Sequence, residues 1–432
     1  MRLPPASHVG TRSSRRWQAA WTNVLILLFA QAALAGVVSR GVVERIREHG
    51  SARVIVLMRH PQPIEGYGSL QTVPVAWGSA DDAAVARFGS DPNVVAVDLD
   101  VSGRAGDAES NELIRADVAQ SAGYYGNGVT VAVLDSGFDP NSVDLAGQVV
   151  DEQCFCQNSD GTGCCPNRLT TQGGAGAARD EEGHGTNVTG IIASRGIVAP
   201  IGVAPGVKVV EVRVLDQNNR FSSITQVLEG LSWVATNHPE VRAVNLSLYT
   251  DQLFPGYCDS ATSWTQALSQ LVTTMRSHGT AVFACAGNDS SSTTMGAPAC
   301  IEPVIAMGAV FDRGSNTSAC NSGAGPDVVA CFSDSDDALD LLAPGVNVTS
   351  TGLNAATSTY SGTSQATPHG TASAAVLFAM RPSLTVDEME SALKSTGRPI
   401  RDARNDVTRS RIDLFAALES LMAPERRRAV RH

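Results

Sequence analysis

The strongest constraint on the fold is a rhythm that begins near residue 108. Short apolar runs at 129–134, 207–214, 243–248, 281–286 and 304–310 alternate with stretches that repeat apolar residues at helical spacing. The run Val129-Thr130-Val131-Ala132-Val133-Leu134 is apolar on both sides, as a strand buried on both faces must be. Ile224, Val227, Leu228, Leu231 and Val234 mark one intervening helix; Trp264, Leu268, Leu271, Val272 and Met275 mark another. This alternation predicts an α/β fold, a mostly parallel sheet covered by helices on both sides. Thr385 and Glu388 form a capping box for a later helix through about 395, and 412–421 reads as a last amphipathic helix.

Before that rhythm the chain is organised differently. Arg12, Arg15 and Arg16 precede an apolar run at 24–34, and Ala33-Leu34-Ala35 supplies a small-x-small cleavage pattern. Residues 1–35 therefore read as an export signal. Ser14-Arg15-Arg16 faintly matches a twin-arginine signal, but Gln18 fits poorly and ordinary secretion is the better reading. The run is short for a membrane span and no later run reaches that length, so no stable membrane anchor is expected. Residues 36–107 form a separate small α+β unit, with strands at 53–58 and 93–98, a helix at 81–88 and an exposed linker at 102–107. The α/β domain spans 108–421, and 422–432 is a basic, solvated tail. The net charge of −11, with no basic stripe in the middle, disfavours nucleic acid as a partner. Of 32 basic residues only Lys208 and Lys394 are lysines; with abundant Ala and Gly this suggests a GC-rich bacterial source.

The nine cysteines of an exported chain favour disulfides. Cys154, Cys156, Cys164 and Cys165 would alternatively form a zinc site, but lack paired C-x2-C spacing. Cys258 with Cys300 and Cys320 with Cys331 are the expected pairs elsewhere, and Cys285, inside an apolar strand, is the expected free thiol.

Three positions carry chemistry. Asp135 ends the first apolar run and meets the turn Ser136-Gly137. Sites in parallel sheets form at strand carboxyl ends, where a carboxylate can orient an imidazole; alone, such an Asp commonly just caps the turn. His184 lies between Gly183 and Gly185 and opens a helical stretch. Its ring titrates near neutrality and can take and return a proton. Ser364, in Gly362-Thr363-Ser364, stands at the first turn of an Ala-rich helix over 365–380. There, unpaired N–H groups favour an oxyanion, although a lone Ser at a helix start is ordinarily an N-cap. His369, on the same helix, reads as a packing residue.

The order Asp135, His184, Ser364, with Val131 to Gly137, His184-Gly185-Thr186 and Gly362-Thr363-Ser364, resembles the subtilisin-like (subtilase) serine proteases. Further matches are Gly202-Val203-Ala204-Pro205, Val244 to Ser247, Ala286-Gly287-Asn288 and Ala343-Pro344-Gly345. The resemblance covers about 110–420 and implies a subtilisin-like three-layer α/β/α fold and a secreted serine endopeptidase, extracellular or periplasmic. Asp135, His184 and Ser364 would be its triad and Asn288 its side-chain oxyanion donor. Ser247, Leu248, Tyr249, Ala286 and Gly287 would bind substrate. It also implies that 36–107 is an inhibitory, folding-assisting propeptide removed by self-cleavage, that protein or peptide substrates and this propeptide are the partners, and that the molecule is a monomer. No cofactor is required. Structural Ca²⁺ is common in the family; Asp139, Asp144 and the acidic run 334–337 would supply oxygens, or else be exposed acidic turns, and no metal site is assigned. Tyr249-Thr250 departs from the usual Gly-Gly, Gln365 from the usual Met, and Gly370-Thr371-Ala372 from the usual Val-Ala-Gly. The competing readings are an inactive, peptide-holding relative and an esterase with the same triad.

Overall fold

The structure is a computed structural model that describes residues 38–69, 74–99, 108–313 and 324–429. The expected export signal and linker lie outside these residues. The chain divides into two compact units, Met1–Arg104 and Ala105–His432.

In the first unit, α1 (Arg40–His49), β1 (Ala52–Met58), β2 (Gly68–Ser69), β3 (Val75–Ala80), α2 (Asp82–Ser90) and β4 (Val94–Leu99) follow in order. The sheet runs β2-β3-β1-β4. β1 buries Ala52, Val54, Val56 and Met58 in strict alternation, so only one face builds the core. Asp81 caps α2 by accepting from Ala84 N at 2.8 Å. The sequence pattern does not predict α1 or β3. α1 is rich in charge and buries only Val42 and Ile46, too few to show a period.

The second unit contains α3 (Ala108–Leu113), α4 (Ala116–Ser121), β5 (Thr130–Asp135), β6 (Val149–Phe155), β7 (Thr171–Gly173), α5 (His184–Ala193), β8 (Lys208–Arg213), α6 (Ile224–Asn237), β9 (Val241–Leu246), β10 (Leu253–Phe254), α7 (Ser263–Ser277), β11 (Ala281–Cys285), β12 (Met295–Gly296), β13 (Ile305–Val310), β14 (Leu341–Pro344), β15 (Val348–Thr351), β16 (Thr357–Tyr360), α8 (Thr363–Met380), α9 (Val386–Thr396), β17 (Arg398–Arg401), β18 (Thr408–Arg411) and α10 (Leu414–Ala429). A 10-stranded sheet takes the order β17-β18-β14-β13-β11-β9-β5-β8-β6-β7. Its pairs are parallel except at the ends, where β17 pairs β18 and β6 pairs β7 antiparallel. Two large hydrophobic clusters form, one gathering α5, α8, α9 and α10 and the other α6 and α7, with a small one of Cys154, Cys156, Cys165 and Ala177 beside them in the list of cores of this unit. The mostly parallel three-layer α/β/α architecture is therefore as expected. The expected capping box of α9 is present, Thr385 Oγ1 accepting from Glu388 N at 3.2 Å. α10 continues past 421 to Ala429.

The cysteine-rich segment between Asp135 and His184 forms β6 and β7 and thus extends the sheet. Cys154 bonds Cys165 and Cys156 bonds Cys164, so the zinc alternative falls. Cys258 bonds Cys300, as expected. Cys331 is disulfide-bonded, while Cys320 lies outside the described residues. Cys285 is free and buried.

Candidate active site

Asp135 is the last residue of β5 and is fully buried. Its Oδ1 accepts from Ser136 N at 2.7 Å and from His184 Nδ1 at 2.8 Å; its Oδ2 has no partner. Two glycines make this approach feasible. A Cβ on Gly137 (φ 106) would lie 2.1 Å from Ala178 O, and one on Gly185 would lie 2.2 Å from Gly137 O. The two segments therefore cross with no room for side chains.

His184 opens α5 and is buried. With Nδ1 donating to Asp135, Nε2 is left as the basic nitrogen. Burial alone would push the ring's pKa down. The Asp135 carboxylate and its hydrogen bond, helped by Glu182 and Asp180, outweigh it and the pKa is raised. Asp180, which sequence reasoning missed, organises the approach. Its Oδ1 accepts from Ser136 Oγ (3.0 Å), Glu182 N (3.0 Å) and Gly183 N (2.9 Å), and its Oδ2 from Thr186 N (3.0 Å) and Thr186 Oγ1 (2.6 Å). Ser136 Oγ in turn accepts from Gly185 N at 2.9 Å. The only sequence signal for this is an acid four residues ahead of the Gly-flanked His.

Ser364 is the second residue of α8, so its N–H has no intrahelical partner. Pro368, four residues on, has no N–H to give the Ser364 carbonyl. Ser247 Oγ donates to that carbonyl instead, at 2.7 Å, and itself accepts from Asn245 Nδ2 at 2.9 Å. In return the Ser364 hydroxyl donates to Ser247 O at 3.2 Å, and Cys285 Sγ lies 4.0 Å from it. The hydroxyl is thus turned to Ser247 and is not hydrogen-bonded to His184. The first turns of α5 and α8 are joined by Gln365 Nε2, which donates to Asn187 Oδ1 at 3.4 Å.

Asn288 follows Ala286-Gly287 after β11. Its Oδ1 accepts from Thr363 N at 2.9 Å and Thr363 Oγ1 at 3.0 Å. This fixes the carboxamide so that Nδ2 remains as donor, 3.4 Å from where a Gly362 Cβ would stand. A cleft of about 380 Å³ opens beside Ser247, lined among others by Leu215, Arg220, Leu248, Tyr249 and Trp264. Arg220 and Asp251 pair across it at 2.6 Å. Ser222, also on its wall, donates to Gln157 O at 2.7 Å, so the cysteine-rich segment between β6 and β7 touches the cleft wall. The Tyr249 ring packs on two glycines, 3.3 Å from a Cβ built on Gly287 and 3.0 Å from one built on Gly296. Burial pushes its hydroxyl up to about 12.

His369 is a packing residue. It is buried in α8 with Nδ1–H donating to Gln365 O at 2.8 Å, and burial lowers its pKa to about 4. The acidic candidates for a cation are mostly not exposed turns. Asp144 is buried and accepts from the main-chain N–H of Ile197, Val198 and Ala199. Asp139 is buried and accepts from Asn141 N and Ala355 N. Asp334 and Asp336 are buried as well; only Asp337 of that run is exposed. Short loops bring these carboxylates to unpaired backbone donors, which satisfy them as a cation would. Among the described residues no cluster of three or more His, Cys, Asp or Glu is placed to hold a metal ion.

The subtilase family model matches residues 126–413. The chain belongs to the subtilase family. This subtilase is 30% identical over 331 residues to subtilisin E of Bacillus subtilis, covering 75% of either chain. It is 28% identical over 359 residues to a minor extracellular protease of the same species, covering 76% of this chain and 48% of that one. A solved protease structure from Pseudoalteromonas arctica superposes with a TM-score of 0.54 at 26% identity, covering 69% of this subtilase and 91% of that chain. The protein is accordingly a serine endopeptidase with a subtilisin-like fold.

Proposed function

We propose that the protein is exported and made as a zymogen, and that Asp135, His184, Ser364 and Asn288 carry out its peptide hydrolysis. Ser364 attacks the scissile carbonyl while His184 Nε2 takes its proton. Asp135 holds the ring and its cation, and Asn288 Nδ2 with the Ser364 N–H receives the oxyanion. His184 then gives that proton to the departing amine as the C–N bond breaks. Water, losing its proton to the same ring, attacks the acyl-enzyme and frees the Ser364 hydroxyl. The observation that carries this reading is the 2.8 Å bond from His184 Nδ1 to a fully buried Asp135, which fixes the tautomer a base requires. The hydroxyl of Ser364 rotates from Ser247 O toward Nε2 when substrate enters, since apo sites commonly hold such bonds slack. Its present turn toward Ser247 is what an inactive, peptide-holding relative would also display. Fluorophosphonate labelling decides between them. Labelling of wild type with loss in Ser364→Ala, matched by casein hydrolysis, is expected; an unlabelled wild type overturns the reading.

Residues 36–107 are the propeptide, cut by the enzyme itself. Purified enzyme should begin between about 102 and 110, and Ser364→Ala should stay uncut. Secretion is supported by the signal-like segment 1–35 and by the extracellular relative. Tyr249, seated against Gly287 and Gly296, narrows the pocket beside the nucleophile and favours small P1 side chains. Peptide-library cleavage by Tyr249→Gly should broaden toward bulky P1 residues; identical profiles would refute this.

A further inference from the structure

Behind Asn288, residues 286–291 run against residues 332–335. Asp334 N–H donates to Gly287 O, Ser290 N–H to Phe332 O and Ser335 N–H to Ser291 O, each at 3.0 Å. Between these bonds the Asp334 side chain reaches across. Its Oδ1 accepts from Asp289 N at 3.1 Å and from Ser291 N at 2.7 Å. Its Oδ2 is buried, has no partner and lies against Gly287, where a Cβ would come within 2.2 Å of it. Gly287 also holds φ 118, so no other residue fits there without strain. Burial pushes the Asp334 carboxyl up to about 6. Its own segment is fixed in turn by Arg404, which donates to Cys331 O at 2.9 Å and Ser333 O at 2.6 Å.

One residue therefore grips the main chain at 287, 289 and 291, on both sides of Asn288, while Thr363 grips the Asn288 carboxamide from the front. We propose that Asp334 is a positioning residue for the oxyanion donor, setting where Asn288 Nδ2 points without touching substrate. The inference rests on the proposed role of Asn288. A donor of this kind acts by being preorganised, and misplacement of about 1 Å costs on the order of 10²-fold in rate. A buried carboxylate oxygen shared by two N–H groups holds the loop to that tolerance. Its removal leaves both donors unpaired.

The test is a double-mutant cycle on the full chain with a chromogenic peptide. Asp334→Ala is expected to lower kcat about 10–100-fold with little change in KM. Asn288→Ala is expected to lower it on the order of 10²–10³-fold. In the Asn288→Ala background Asp334→Ala should cost less than about twofold more, because the donor it positions is gone. Asp334→Asn, which keeps the accepting oxygen, should recover most of the loss. Should Asp334→Ala not fold, Asp334→Ser takes its place in the cycle. Equal losses in both backgrounds, or a change in KM alone, would overturn the inference. If hydrolysis survived Ser364→Ala, the proposed mechanism would fail instead, and the two failures are distinguishable.

Discussion

Two imidazoles lie buried in the second unit and titrate in opposite directions. Around His184 the chain gathers acids: Asp135 at 2.8 Å, Asp180 and Glu182 on the same approach, and buried Glu211 one strand away, which accepts from Thr189 Oγ1 at 2.6 Å. His369 lies in helix α8, whose residues from Thr363 to Phe378 are buried and include no Asp, Glu, Lys or Arg. Burial pushes both rings toward neutrality; at His184 the carboxylate reverses that, and at His369 nothing does. Depth in the core does not make a base. The neighbour does, and the two rings stand on different helices, His184 on α5 and His369 on α8.

The largest effect should come from making the two surroundings alike. Asp135→Asn is expected to cut kcat about 10⁴-fold, as loss of the orienting carboxylate does in such triads. In wild type the base must be unprotonated, so kcat/KM should fall as pH drops through a midpoint above the ordinary imidazole value of about 6.5. In Asp135→Asn that midpoint should move down; an unmoved midpoint would break the comparison.

Next in size is the contribution of His369 to acid sensitivity. Its folded pKa of about 4 lies below the ordinary 6.5, so the unfolded chain binds the extra proton. Stability is therefore fully present above about 6.5 and lost as pH falls toward 4, by on the order of 3 kcal/mol. His369→Gln should remove that part of the slope in urea titrations between these limits. An unchanged slope would show that the ring is not the source.

A smaller effect is expected where the two helices meet. Gln365→Met deletes the bond to Asn187 that ties α8 to α5, at a cost of about 1 kcal/mol in chemical unfolding. It should also make activity sensitive to dilute peroxide, which wild type tolerates, since a thioether oxidises and an amide does not. Rapid loss of wild-type activity under peroxide would refute this. The smallest expected effect is none at all. The Cys285 thiol is buried and pushed up to about 12, so iodoacetamide at neutral pH should label it only after unfolding.

Much of the sheet was legible because buried parallel strands are continuous apolar runs, as 129–134 and 281–286 are. The strand-end Asp135, Gly-flanked His184 and helix-start Ser364 were legible because each sits where the fold changes direction. Strands β6, β17 and β18 were not, since their half-exposed residues mix charge with apolar groups. Asp180 was missed, and Asp334 was read only as an oxygen donor to a cation or an exposed turn, for another reason. They act mainly on backbone N–H groups, which every residue carries: three of the five donors to Asp180 and both donors to the Asp334 side chain are main-chain. The exchange between Ser247 and Ser364 was hidden too, because it depends on an N–H that Pro368 lacks.

The strand order has a consequence for assembly. β6 is made directly after β5 in the sheet's chain sequence, yet β8 lies between them. During synthesis the cystine-bearing hairpin must therefore wait, with one edge open, until a later segment slides in beside it. Strands β9, β11, β13 and β14 face no such delay: β9 docks on the free edge of β5, and β11, β13 and β14 each dock on the sheet strand before them. A nascent molecule stalled before residue 208 would expose that unfilled slot, and any extended peptide able to occupy it would compete with the chain's own completion.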